Sequence, residues 1–348
     1  MPITPLRRQG VVALLLALIV LAGALASCAL PDRDAAPESA AGAAGAVHAD
    51  LPPRDPEVLL PDPRPALPVT LVDDRGNEVT VTKVDRVIAL DRSGALSRMV
   101  WALGMGDRLV GRDIASDFPG VAGLPELTPG GHAVNPESVM ALEPDLILTD
   151  GTIGPVAAIR GFREAGIPVV HVSDRRLPST VGDLADQVAA ALGLGDAGAA
   201  RGAITAGIDA AAEAARARAD GRRMLLLYVR GTSTALIAGR DTGAGELIEM
   251  LGGVDAAGDS GIDAGFVPLT PEALAAAAPD TVIVMTGGLE SVGGVAGLVD
   301  LPGMAQTPAG ANESVLDVPD SQLLSFGPQT AQVIDAMAAA LYGGGAAG

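Results

Sequence analysis

Two stretches of this chain repeat one another, and that repeat constrains the fold more than any other feature. Asn135-Pro136-Glu137-Ser138-Val139 is followed by Glu143-Pro144-Asp145, and Thr270-Pro271-Glu272-Ala273-Leu274 is followed by Ala278-Pro279-Asp280. In both, a helix-capping residue precedes Pro-Glu, and Pro-Asp returns after the same interval, directly ahead of an apolar run. Asn135 and Thr270 are good N-caps, proline suits the first helical position, and a first-turn glutamate favours the positive end of the helix dipole. Capping explains either copy alone. It does not explain two copies at matching points, so the chain reads as two related lobes.

The segments around each copy alternate between strand and helix. A hairpin is expected from Val69–Val72 and Glu78–Thr82. It is followed by strand Arg86–Leu90, helix Gly94–Leu103, strand Arg108–Gly111, helix Pro136–Leu142, strand Leu146–Thr149, helix Pro155–Ala165 and strand Pro168–Val172. Between Ser179 and Asp220 no strand is expected, and the alanine-rich run Ala197–Ala219, about 23 residues at ~1.5 Å each, would span roughly 35 Å. Strands resume at Met224–Val229, Ala235–Ala238, Thr281–Met285 and Ser314–Val318, among helices Gly245–Leu251, Pro271–Ala278 and Pro328–Leu341. The expected fold class is α/β: two doubly wound parallel-sheet lobes bridged by a long α-helix, with a ligand in the cleft beyond the carboxyl ends of the strands. The division runs as residues 1–27 (signal), 28–67 (disordered tether), 68–178 (first lobe), 179–220 (helical region) and 221–348 (second lobe).

The N-terminus carries Arg7 and Arg8, an apolar run from Gly10 to Ala24, and Leu25-Ala26-Ser27-Cys28. Such a run is an export signal with a small-residue cleavage site, and it resembles a bacterial lipobox. The resemblance implies lipidation of Cys28 and an extracytoplasmic, membrane-tethered protein. Cys28 is the only cysteine, so no internal disulfide forms. Residues 29–68 are rich in Pro, Ala and Asp and lack apolar periodicity, which reads as a tether in which His48 is solvated and silent. The formal charge of −19 argues against nucleic acid as a partner.

Chemically capable side chains are few, because aromatics make up only 2% of the chain and the folded part holds only His132 and His171. His171 lies inside an apolar strand and reads as a core or edge histidine. His132 follows Pro129-Gly130-Gly131, in a loop expected to face the cleft. Tyr228 ends an apolar strand, and Arg230, two residues on, points to the same face. A guanidinium beside a phenol favours the phenolate, and phenolate, like histidine, is a recognised ligand to haem iron. Met285 ends another strand, where its thioether packs or acts as a weak alternative ligand. Arg92 stands beyond the strand Arg86–Leu90, as a surface arginine or a partner for a carboxylate. A catalytic reading has only His132 to build on, since no Gly-x-Ser-x-Gly elbow and no Gly-Lys-Ser/Thr phosphate loop occur.

A lipobox, a polar tether, two α/β lobes with a bridging helix, and Pro-Glu helix starts in both lobes resemble the substrate-binding proteins of importers for iron complexes, haem and cobalamin. That resemblance covers roughly residues 68–342. It implies that Glu137 and Glu272 dock into an ABC permease coupled to its ATPase, that the protein acts as a monomer, and that the lobes move little on closure. Gly130-Gly131-His132, Asn135-x-Glu137-Ser138-Val139, Leu227-Tyr228-Val229-Arg230-Gly231, Gly287-Gly288-Leu289-Glu290-Ser291 and Ser325-Phe326-Gly327-Pro328-Gln329-Thr330 further resemble the haem-binding lipoproteins of the HmuT family. This closer resemblance implies haem as the transported ligand. Its iron would be held by His132 and Tyr228 from opposite lobes, and Arg230 would hydrogen-bond the tyrosine. Val134 and Leu289 are candidates to cover the porphyrin. Siderophore-iron or cobalamin binding on the same scaffold is the alternative. A zinc or manganese site is poorer for want of histidines, and a His132-dependent hydrolase ranks lower.

Overall fold

The computed structural model describes residues 46–131 and 133–343; the N-terminal run with Cys28, His132, and residues 344–348 lie outside the described residues. Strand β1 is Ala46–His48, and β2 (Val69–Val72) with β3 (Glu78–Val81) forms the expected antiparallel hairpin. The first lobe is built on β4 (Val87–Leu90), β5 (Leu109–Gly111), β6 (Leu146–Thr149) and β7 (Val169–His171), which form a parallel sheet in the order β5-β4-β6-β7. Its helices include α1 (Ala95–Val100), α2 (Pro136–Ala141) and α3 (Val156–Glu164). Helices α4 (Val181–Ala191) and α5 (Gly198–Arg216) follow.

The second lobe contains β8 (Arg223–Arg230), β9 (Thr234–Ala238), β10 (Val254–Asp255), β11 (Phe266–Pro268), β12 (Thr281–Met285) and β13 (Val315–Val318). Its principal helices are α6 (Ala244–Met250), α7 (Pro271–Ala277), α8 (Thr286–Ser291) and α9 (Thr330–Tyr342). The sheet order is β1-β13-β12-β8-β9-β11, with β10 paired to the start of β8.

The repeat has a structural job beyond capping. Asn135 and Thr270 accept N–H bonds from Ser138 and Ala273, each at 3.1 Å, and so cap α2 and α7. The closing aspartates pin neighbouring strands. Asp145 accepts the backbone N–H of Arg86 at 3.1 Å and donates its own N–H to the Arg86 carbonyl at 2.9 Å. Asp280 does the same with Arg223, at 2.9 and 2.8 Å. Each Pro-Asp thereby sets the parallel register of its strand, β6 on β4 and β12 on β8, and aligns the strand ends that form the cleft.

Helix α5 is 19 residues long, shorter than the expected run but sufficient to join the two lobes. Ala200, Ile204, Ile208, Ala211 and Ala215 make a buried stripe at helical spacing, which packs on α4 and α9. One continuous core runs from Leu96 and Met99 through Leu184, Ile204 and Ile208 to Leu226, Ile283 and Met337.

Three expectations need correction. Residues 46–67 are not a disordered tether. Strand β1 adds to the parallel edge of β13, and His48 Nδ1 lies 2.7 Å from Asp317 Oδ2, so His48 is held rather than silent. The segment then crosses to the first lobe, where Leu59 N–H donates to Ala102 O at 2.7 Å, and Ala66 N–H donates to Gly193 O at 2.8 Å. Second, the helix expected to run to Leu103 changes at Trp101 into a π-turn with Gly104 at φ 77°, where an added Cβ would lie 2.0 Å from the Leu60 carbonyl oxygen. The crossing strap occupies the space a side chain would need. Third, the second sheet is parallel only across β1, β13, β12, β8 and β10. The tight loop after β8 forces β9 antiparallel, and β11 pairs antiparallel with β9 in turn. Strand β11 escaped the sequence reading because it is three residues long and contains Pro268, which only an edge position tolerates.

Candidate functional site

A cleft of about 840 Å³ lies beyond the carboxyl ends of the strands of both sheets, within the ~300–1,000 Å³ range usual for small-molecule sites. From the first lobe it is lined by residues after β4 (Arg92, Ser93), after β5 (Ile114, Asp117), after β6 (Asp150, Thr152) and after β7 (Asp174, Arg176), together with Gly130 and Gly131. The second lobe contributes Tyr228, Arg230, Leu236, Phe266, Met285, Asp320 and Leu324. Ile114 and Phe266, 46% and 43% exposed, are among the few large apolar side chains left open to solvent. Both face this cleft.

Alternation along β8 places Tyr228 and Arg230 on the cleft face and buries Val229 on the other. Tyr228 pairs across the strands with Leu236, and its ring meets Phe266 edge-on at 6.0 Å. The antiparallel extension, unread in the sequence, is thus what builds an apolar wall around the phenol. The Arg230 guanidinium lies over the Tyr228 ring, 4.9 Å from its centroid. Its donors go to Val229 O (2.9 Å), Met285 Sδ (3.4 Å) and Asp320 Oδ1 (2.5 Å). None of these bonds reaches the Tyr228 oxygen; in place of the expected hydrogen bond the guanidinium lies over the ring face.

The first lobe buries three acids at and beneath the cleft. Asp91 and Asp113 are fully buried at the ends of β4 and β5, and Asp150 is 5% exposed after β6. Asp91 accepts the N–H groups of Ala95 and Leu96, each at 3.1 Å, and donates its own N–H to Asp113 at 3.1 Å. Burial, and then the Asp91 carboxylate beside it, pushes the Asp113 carboxyl up to about 7. Burial and Asp91 also push Asp150 up to about 6, against the pull of Arg176. Arg176 pairs with Asp150 at 2.9 Å and Arg230 with Asp320, whereas Arg92 makes no ion pair with a described residue. Arg92 is exposed at the rim, its backbone N–H held by Thr152 at 3.0 Å.

Tyr228, Arg230, Met285 and Arg92 are brought together around one cleft. His132 lies outside the described residues; the preceding glycines, Gly130 and Gly131, have φ of 86° and 85° and line the cleft. Val134 and Leu289 do not cover it: they are 4% and 8% exposed and belong to the cores of their own lobes. Leu236, Phe266 and Ile114 take that place. His171 is buried, with Nδ1 2.8 Å from Arg163, and its pKa is lowered by burial and by Arg75 and Arg163. It belongs to the knot around Asp73 that ties the hairpin to β7. Glu137 and Glu272 stand exposed in the first turns of α2 and α7. Asp320 escaped the sequence reading because nothing local links it to Arg230, 90 residues away.

Residues 87–322 match the family described as periplasmic binding protein. A crystal structure of the haem-binding protein HmuT superposes with a TM-score of 0.81 at 37% identity, covering 86% of this chain and 98% of that one. Structures of that protein with alanine in place of a histidine, a tyrosine, and an arginine two positions beyond the tyrosine superpose equally, at 0.81, 0.81 and 0.80. An ABC transporter substrate-binding lipoprotein of Bacillus subtilis, YvrC, is 26% identical over 79% of this chain and 86% of its own length. A cobalamin-binding protein of Halobacterium salinarum is 29% identical over 63% of this chain and 58% of its own.

Proposed function

This chain belongs to the periplasmic binding protein family, and on that premise we propose that it captures haem outside the cytoplasm and delivers it to an ABC-type importer. The observation that carries this reading is the Tyr228 phenol on an apolar cleft wall with the Arg230 guanidinium over its ring. A tyrosine oxygen is a recognised protein ligand to haem iron, and the guanidinium over the ring holds the side chain on the cleft wall. Phe266, Leu236 and Ile114 offer apolar surface to a porphyrin face. Arg92, without a carboxylate partner among the described residues, suits a propionate at the rim. His132 enters as the second iron ligand from its sequence position after Gly131, and Met285 contacts the ligand through its thioether. The HmuT likeness supports the ligand class, and the named relatives favour a binding role over catalysis.

In this reading Cys28 is the lipidated N-terminus that tethers a monomer to the membrane. Glu137 and Glu272, one per lobe, meet basic pockets of the permease. Reversing both charges is expected to abolish stimulation of the transporter's ATPase while leaving ligand affinity unchanged; undiminished stimulation refutes the docking role. The cobalamin-binding relative favours a second reading in which the same cleft takes a corrinoid. Parallel titrations of the full chain with haemin and with cyanocobalamin separate the two. A Soret shift saturating at one equivalent of haemin is expected, and saturation by cyanocobalamin alone overturns the haem reading.

A further inference from the structure

The geometry points to Asp320 as the positioning residue that holds Arg230 over Tyr228, through a slot cut by two consecutive glycines. Asp320 opens the short helix Asp320–Leu323 that follows β13. Its carboxylate is used at both oxygens: Oδ2 accepts the Gly287 N–H at 2.7 Å, and Oδ1 accepts Arg230 Nη2 at 2.5 Å. The slot requires the glycines. A Cβ on Gly287 would lie 3.1 Å from both Asp320 oxygens, and one on Gly288 would lie 2.8 Å from Arg230 Nη1 and from the Val229 carbonyl. Gly287 and Gly288 stand in the first turn of α8. Their role is to let a carboxylate and a guanidinium approach the backbone from two sides.

The pair itself adds little stability, since Arg230 and Asp320 are 37% and 40% exposed and solvent screens such pairs. Its consequence is geometric. An unrestrained arginine samples many rotamers in a cleft of this size, whereas Arg230 is fixed by Val229 O beneath, Met285 Sδ beside it and Asp320 beyond. Of the three, only Asp320 is charged and itself anchored to backbone. Asp320 therefore acts on the ligand through Arg230, and this role rests on the reading that Tyr228 ligates haem iron.

A double-mutant cycle on the full chain, read by haemin titration and by the Soret spectrum, tests it. Asp320→Ala and the near-isosteric Asp320→Asn are each expected to weaken haemin binding about tenfold in the native background. In an Arg230→Ala background they are expected to change it less than about twofold, because the residue they act through is gone. Equal losses in both backgrounds, no loss in the native background, or tighter binding from removal of a neutralising charge each overturns the positioning role. Failure of the ligand reading looks different: the native chain then gives no Soret shift, and the proposal falls with it.

Discussion

Haemin titrated into Tyr228→Ala is expected to bind at least about a hundredfold more weakly than to the native chain, with the tyrosine-ligated ferric spectrum replaced by that of a haem held by one ligand. The size follows from what is lost. Altering groups that merely orient a metal ligand costs ~10–100-fold in affinity, and Tyr228 is proposed as the ligand itself. Truncation also removes the ring on which Arg230 rests and against which Phe266 packs edge-on. Tyr228→Phe separates the contributions, keeping the ring and deleting only the oxygen. It is expected to lose the spectrum while keeping the fold, and an unchanged Soret band in Tyr228→Phe would show that the iron is bound elsewhere. Tyr342, the other tyrosine, does not interfere. It is pushed up to about 12 by burial and hydrogen-bonds the Leu251 carbonyl at 2.8 Å.

Features set by local periodicity or by a tight turn were legible in the sequence. The strands Leu146–Thr149 and Thr281–Met285 stand where the apolar runs begin after Pro-Asp, and the period of two along β8 puts Tyr228 and Arg230 on one face. Features that depend on distant partners were not legible. The Ala46–Leu67 strap has a tether's composition and is ordered by Asp317, Ala102 and Gly193. Phe266 and Leu236 reach the cleft only because β9 and β11 reverse direction. Val134 and Leu289 carried the right chemistry at the right place in the chain, but each faces inward, and no pattern three residues long tells inside from outside. Asp91, Asp113 and Asp150 carry no local signal in the sequence, because burial at a strand end is a property of the layer packed over it.

That buried trio leads to the second large effect, on stability rather than binding. The folded chain raises Asp113 from the ordinary 3.8 to about 7, burial acting first and the Asp91 carboxylate second. An acid whose folded value is raised holds its proton more tightly when folded, so its contribution is fully present below 3.8 and is lost as pH rises through about 7. Asp113→Asn cannot ionise and escapes that loss. Its melting temperature relative to the native chain is therefore expected to rise between pH 5 and pH 8, on the order of 5 °C. His171 works in the opposite direction, since its lowered pKa gives stability above 6.5 that fades on acidification, but it is common to both proteins and cancels in the difference. Parallel melting curves across this range would show that Asp113 does not carry the titration. A second member of the trio bears on the cleft, because Asp150, pushed up to about 6, is the partner of Arg176. Acidification through that range neutralises the carboxylate beside the Arg176 guanidinium, so the site gains positive charge toward an anionic ligand over the pH interval in which the fold gains stability from Asp113.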